Sequence, residues 1–151
     1  MKKIVSIMLV LCMVFSITTA FAANTEIIIN GEKATIAEGM GSIVEKDNRT
    51  FVPVRFLMEY FGFEVTWENE TQSVLGRHEN GESFCMQVGN TRLFYFDANG
   101  NKKDLKPMDT TPFLNYSEGR TYVPLRFLAE AIGYTVGWDG ETETVTLTLA
   151  K

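Results

Sequence analysis

The chain writes one stretch twice without a gap: residues 49–67 read RTFVPVRFLMEYFGFEVTW and residues 120–138 read RTYVPLRFLAEAIGYTVGW. At a constant offset, Pro53 aligns with Pro124, Arg55 with Arg126, Glu59 with Glu130, Gly62 with Gly133 and Trp67 with Trp138. Such a repeat constrains the fold more than composition does. Whatever the first copy forms, the second must form too, and both need a surface on which to bury their apolar faces. The units are placed at about residues 49–74 and 120–145 of one internally duplicated domain.

Within each copy the local chemistry predicts a strand, a short helix and a second strand. The residue before a proline is pushed out of the α region, so residues 50–52 are expected to be extended. Pro53 suits a first helical position, where its missing N–H costs nothing, and Gly62 suits the left-handed residue that ends a helix. The result is a nine-residue helix, too short to be stable by itself. Val54, Leu57, Met58 and Phe61 lie on one side, Phe56 and Tyr60 form a second stripe, and Arg55 and Glu59 are the charged positions. Leu125, Leu128, Ala129 and Ile132 repeat the first side, with Arg126 and Glu130 as the charged pair. Helices apolar over so much of their circumference are wrapped by other elements.

Around the two units the sequence alternates short strands with tight turns. Asn30-Gly31 and Asn80-Gly81 predict hairpins, because both residue types tolerate positive φ. Residues 93–96, the turn at 97–100 and residues 103–106 read as a third hairpin, followed by a connection bracketed by Pro107 and Pro112. The last strand alternates strictly, which assigns Val145, Leu147 and Leu149 to one buried face. The fold class is therefore α+β, a mainly antiparallel sheet curled around two short helices.

Residues 1–22 resemble a secretory signal peptide: Lys2 and Lys3, an apolar run, then Ala20-Phe21-Ala22. The apolar run falls short of the ~20 residues that a membrane-crossing helix needs, so no membrane insertion is expected after cleavage. Leu11 before Cys12 speaks against a lipoprotein signal. Residues 23–151 then form the mature domain, secreted or associated with the cell envelope. Net charge is −5 for the full chain and more negative once Lys2 and Lys3 are removed, a balance that repels nucleic acid.

The pattern Arg-Thr-x-Val-Pro-x-Arg-Phe-Leu-x-Glu-x-x-Gly-x-x-Val-x-Trp, written twice behind an Asn-Gly hairpin, resembles the copper amine oxidase N-terminal domain-like family. That resemblance implies a stalk-type module of secreted and envelope-associated proteins in Gram-positive bacteria. It also implies a non-catalytic role, since copper and the quinone cofactor of the oxidases belong to a separate, larger domain. This chain departs from the family pattern at Met58, Tyr60 and Phe61, where smaller residues are usual. The substitutions either enlarge the core or create a local aromatic surface.

Candidate chemistry is sparse. His78 and Cys85 are the only His and Cys beyond the leader, so neither a metal cofactor nor a nucleophile–base pair is expected. Cys85, within an apolar run, reads as a buried thiol. Asn115-Tyr116 resembles the site of the quinone-forming tyrosine, yet that conversion needs copper, and the pair reads instead as a strand end. Asp97, Asn99 and Asn101 resemble a calcium loop, but the glycine is misplaced and no closing glutamate follows.

Arg in a first turn and Glu in a last turn both oppose the helix dipole. Arg55 and Arg126 are therefore expected to find a strand carbonyl or a carboxylate, with a ligand clamp as the alternative. A large stability loss on replacing Arg126 by methionine would mark the structural role. Trp67 and Trp138 read as core or inter-sheet residues, with sugar stacking as the other reading. Phe94, Tyr95 and Phe96 must project on both faces of their strand, which makes this run a possible binding surface. The function these features imply is a secreted, non-catalytic stalk or interaction module whose partner is a cell-wall polymer or an envelope protein. A wall-glycan or polysaccharide-binding module using exposed aromatics is the alternative. A small hydrolase using Glu59 and Glu130 is more distant, because both sit on helices expected to be wrapped.

Overall fold

The computed structural model describes residues 25–150, so the leader expected over residues 1–22 lies outside the described residues. Strands β1 (Glu26–Ile29) and β2 (Glu32–Ala34) form the first hairpin, and β3 (Val44–Lys46) leads into the first repeat unit. That unit comprises β4 (Arg49–Pro53), helix α1 (Val54–Tyr60), β5 (Phe63–Glu68) and β6 (Ser73–His78). Strands β7 (Ser83–Gln87) and β8 (Leu93–Phe96) extend it, and β9 (Phe113–Asn115) opens the second half. The second unit runs through β10 (Arg120–Pro124), α2 (Leu125–Ala131), β11 (Tyr134–Asp139) and β12 (Thr144–Leu149).

The strands make three four-stranded sheets, in the orders β11-β12-β1-β2, β3-β4-β10-β9 and β5-β6-β7-β8. Pairing is antiparallel except between β1 and β12. The class is thus the expected α+β with mainly antiparallel strands and two short helices.

The two units meet at the centre of the middle sheet. There β4 pairs with β10 so that Val52 faces Val123, while Phe51 faces Pro124 and Pro53 faces Tyr122. Val52 thus pairs with its own repeat counterpart, and Phe51 and Pro53 each pair with the counterpart of the other, so the register is two-fold symmetric about Val52 and Val123. Helix α1 packs on β4, β5 and β10, and α2 on β4, β10 and β11. Each helix therefore touches the other unit's strand as well as its own.

The local signals work with two adjustments. Both helices have seven residues, not nine, and Pro53 and Pro124 precede them as caps. Their ψ angles of 126° and 115° are those of a strand, because pairing with the opposite copy holds each proline in the sheet. Gly62 and Gly133 adopt φ of 82° and 96° and donate their N–H groups to Glu59 and Glu130 carbonyls at 3.0 and 3.1 Å. The left-handed residue that ends each helix is the one the repeat supplies.

The core lies between the helices and the inner faces of all three sheets. Val52, Leu57, Met58, Val123, Leu128, Ala129 and Leu147 are buried in one cluster. Phe51 and Tyr122 point to the opposite face of the middle sheet and form a second, aromatic cluster. Phe113 lies 5.2 Å from Phe51 and stacks on Tyr122 at 5.3 Å. The Tyr122 hydroxyl donates to Glu118 and accepts the Ser42 N–H at 3.1 Å. Burial, then the bond to Glu118, raises this phenol above its ordinary pKa. The departures in α1 divide between both expectations. Met58 is buried and enlarges the core, whereas Tyr60 stays exposed and half-buried Phe61 lies 4.5 Å from Tyr134.

Three strand expectations need correction. Leu149 is 54% exposed, because β1 ends at Ile29, opposite Leu147, and β12 outruns the neighbour that covers it. Residues 103–106 form no strand. Beyond a single bridge between Phe96 and Lys102, the chain is tied by the Lys103 N–H to the Tyr95 carbonyl at 2.8 Å and then turns away toward Pro107. Cys85 is half-buried, not buried, and its partial burial raises the thiol pKa.

Candidate functional site

The site follows from a mismatch of lengths. A seven-residue helix rises about 10 Å, whereas a six-residue strand extends about 20 Å. On β5, Phe63, Val65 and Trp67 share one face; the first two are buried under the helix side of the domain, and Trp67 extends beyond it. It is 37% exposed, and its counterpart Trp138 on β11 is 49% exposed. Both readings as core residues are corrected: the indoles continue the core face past the point where anything covers it.

Each indole lines a groove. The Trp67 groove encloses about 390 Å³ and the Trp138 groove about 370 Å³. These volumes suit small ligands or short polymer segments. Every residue lining the Trp138 groove has its repeat counterpart lining the other: Arg49 and Arg120, Arg126 and Arg55, Val145 and Val74 among them. The grooves are composite. One unit supplies the helix start and the Trp hairpin, and the other supplies the strand that carries Arg120 or Arg49.

Their electrostatics differ. In the Trp138 groove Arg49 donates through Nε to Asp109 at 3.1 Å and also through Nη2, an ion pair that holds the Asp109 carboxyl below the usual carboxylate range. Glu45 lines the same groove. In the Trp67 groove the position of Glu45 is taken by Tyr116, which is 80% exposed. Arg120 there donates to neutral acceptors, the Gly39 carbonyl at 2.6 Å and the Gly119 carbonyl at 3.5 Å.

Arg55 has the strand partner expected of it, donating to the Val65 carbonyl at 3.3 Å, and lies 3.7 Å from Glu59. Arg126 differs. Its contact among the described residues is the Glu130 carboxylate at 4.0 Å, with both side chains more than half exposed. A large stability role is therefore not expected of it. Arg126→Met should change the free energy of unfolding by no more than about 0.5 kcal/mol. Urea denaturation checks this, and a loss above ~2 kcal/mol would show that the exposed pair has been underestimated. Glu59 and Glu130 sit at the exposed ends of these ion pairs, not inside either groove.

The run of Phe94, Tyr95 and Phe96 is not an open aromatic surface. Tyr95 is buried, and burial together with Glu82 raises its pKa. Phe94 and Phe96 are half-buried, and the Lys102 ammonium lies 4.7 Å from the Phe94 ring centre. The Asp97 carboxylate accepts the Asn101 and Asn99 backbone N–H groups at 2.8 and 2.9 Å and the Asn101 side chain at 3.1 Å. These bonds hold its carboxyl below the usual range and close a hairpin turn.

Among the described residues no group of three or more His, Cys, Asp and Glu side chains is placed to hold a metal ion. No helix among them is long and apolar enough to cross a membrane. What sequence reasoning missed is the pairing of each Trp with an Arg from the other unit. Only the β4–β10 register brings these together, and Tyr116, read as a strand end, joins them for the same reason.

A sequence model of the copper amine oxidase N-terminal domain matches residues 28–147. No curated protein and no solved structure matches the chain. In the copper amine oxidases this N-terminal domain is non-catalytic. With a match spanning both repeat units and the hairpins around them, the chain belongs to the copper amine oxidase N-terminal domain family.

Proposed function

We propose that this protein is a secreted, non-catalytic interaction module of the bacterial cell envelope, a duplicated stalk-like domain that holds a wall polymer in its two grooves. The observation that carries this reading is the pair of grooves itself. An exposed indole recurs at the same position in each copy, flanked by an arginine from its own helix and one from the other unit. Exposed Trp faces offer flat apolar area beside polar groups, the combination that a sugar ring requires. Two sites fixed on one domain also favour a repeating polymer, since the second contact becomes intramolecular once the first is made. An inert spacer has no use for either indole in water.

Secretion by an expressing Gram-positive host, followed by co-sedimentation of the released protein with purified cell walls, tests the reading. Saturable binding is expected, weakened by Trp67→Ala or Trp138→Ala and abolished in the double variant. Melting should shift far less than for a core residue, because both residues keep a third or more of their surface in water. Retention inside the host would sink the secreted assignment. Absence of wall binding by the unaltered protein would sink the polymer-binding one.

A further inference from the structure

The two grooves share a backbone plan but not a charge. The Trp67 groove is lined by Arg55 and Arg120 and by no carboxylate among the described residues, whereas the Trp138 groove is lined by Arg49, Arg126 and Glu45. Arg49 is further neutralised by Asp109, while Arg120 spends its hydrogen bonds on carbonyls and has no ion pair among the described residues. Arg55 is partly offset by Glu59 at 3.7 Å, which leaves Arg120 as the stronger anchor. Beside them stand two exposed aromatic rings, Trp67 and Tyr116, and the side-chain amides of Asn69 and Gln72. The counterparts of Asn69 and Gln72 in the second unit, Gly140 and Glu143, do not line the Trp138 groove.

From this asymmetry we infer that the Trp67 groove selects an acidic saccharide, one sugar ring lying against Trp67 with its carboxylate on Arg120 and Arg55. A planar guanidinium pairs with a carboxylate through two parallel hydrogen bonds, and such charge-assisted bonds are about twice as strong as neutral ones. The chain as a whole is acidic, so general attraction does not draw polyanions to it, and the selectivity must come from this local pair of cations. In the Trp138 groove Arg49 is already answered by Asp109 and Glu45 adds a negative charge to the lining, so that groove does not share it. The inference rests on the grooves being binding sites, as proposed above.

The chain contains only two tryptophans, one in each groove, so fluorescence can report each site separately. In Trp138→Phe, trigalacturonate is expected to shift Trp67 emission saturably, and its carboxyl-reduced neutral counterpart to bind about tenfold more weakly or worse. Trp67→Phe, which reports on Trp138 alone, is expected to show no preference for the acid. Arg120→Gln in the Trp138→Phe background should erase the difference between acid and neutral ligand. Equal affinity for the two sugars would overturn the inference, as would equal acid binding reported by Trp138. Displacement by inorganic phosphate or a short polyglutamate as effective as by trigalacturonate itself would show that the groove reads charge without a sugar ring, and would overturn it too. Should walls bind the protein while trigalacturonate does not, this inference fails and the envelope reading stands; absence of wall binding removes both.

Discussion

Leu57→Ala is expected to lower the free energy of unfolding by about 2–5 kcal/mol, among the largest losses anticipated for a single substitution in this domain. Leu57 is fully buried on α1, within the cluster that joins the helices to the inner faces of the sheets. Truncation removes the transfer free energy of the buried methyl groups and leaves a cavity. The surrounding strands cannot close it easily, because β4 and β10 are fixed in register by the partner unit. Leu128, its counterpart on α2, is buried to the same degree and should respond alike. Urea denaturation of both variants measures this. Losses under about 1 kcal/mol would mean that the helices lie on the domain without being wrapped by it.

The second large effect is expected at Gly76, in the middle of β6. A Cβ there would lie 1.9 Å from Cε1 and 2.5 Å from Cζ of Phe84, its cross-strand partner on β7. The Phe84 ring is buried over the glycine, 5.6 Å from Phe63. Gly76→Ala must displace that ring into a packed core, at about 1–3 kcal/mol or somewhat more. A double-mutant cycle isolates the cause: in Phe84→Ala, where the ring is gone, the added methyl should cost little. If Gly76→Ala is as damaging there as in the native chain, the loss comes from the backbone and the packing account is wrong.

Much of the fold is legible from short-range patterns. Asn30 and Gly31 have φ of 51° and 88°, as their tight hairpin turn requires, and Gly62 and Gly133 end their helices where the repeat places them. Alternation along β5 and β11 shows which residues share a face. The candidate site was legible only in part. Recurrence singles out Trp67, Trp138, Arg55 and Arg126, but the sequence favours core or inter-sheet positions over sugar stacking for the indoles and does not connect Arg49, Arg120 and Tyr116 to them.

By itself the sequence determined the tight hairpin turns, the glycines that end the helices, the mainly antiparallel α+β class and the family, because these depend on residues close together in the chain. The tertiary structure alone decided which apolar residues are covered. Tyr95 is buried and Trp67 is not, although both belong to apolar-rich strands, since cover depends on how far a helix or neighbouring strand extends. It also decided the charge of each groove. Arg120 reaches Trp67, and Asp109 reaches Arg49, only because β4 and β10 pair across the repeat and bring together groups separated in the chain.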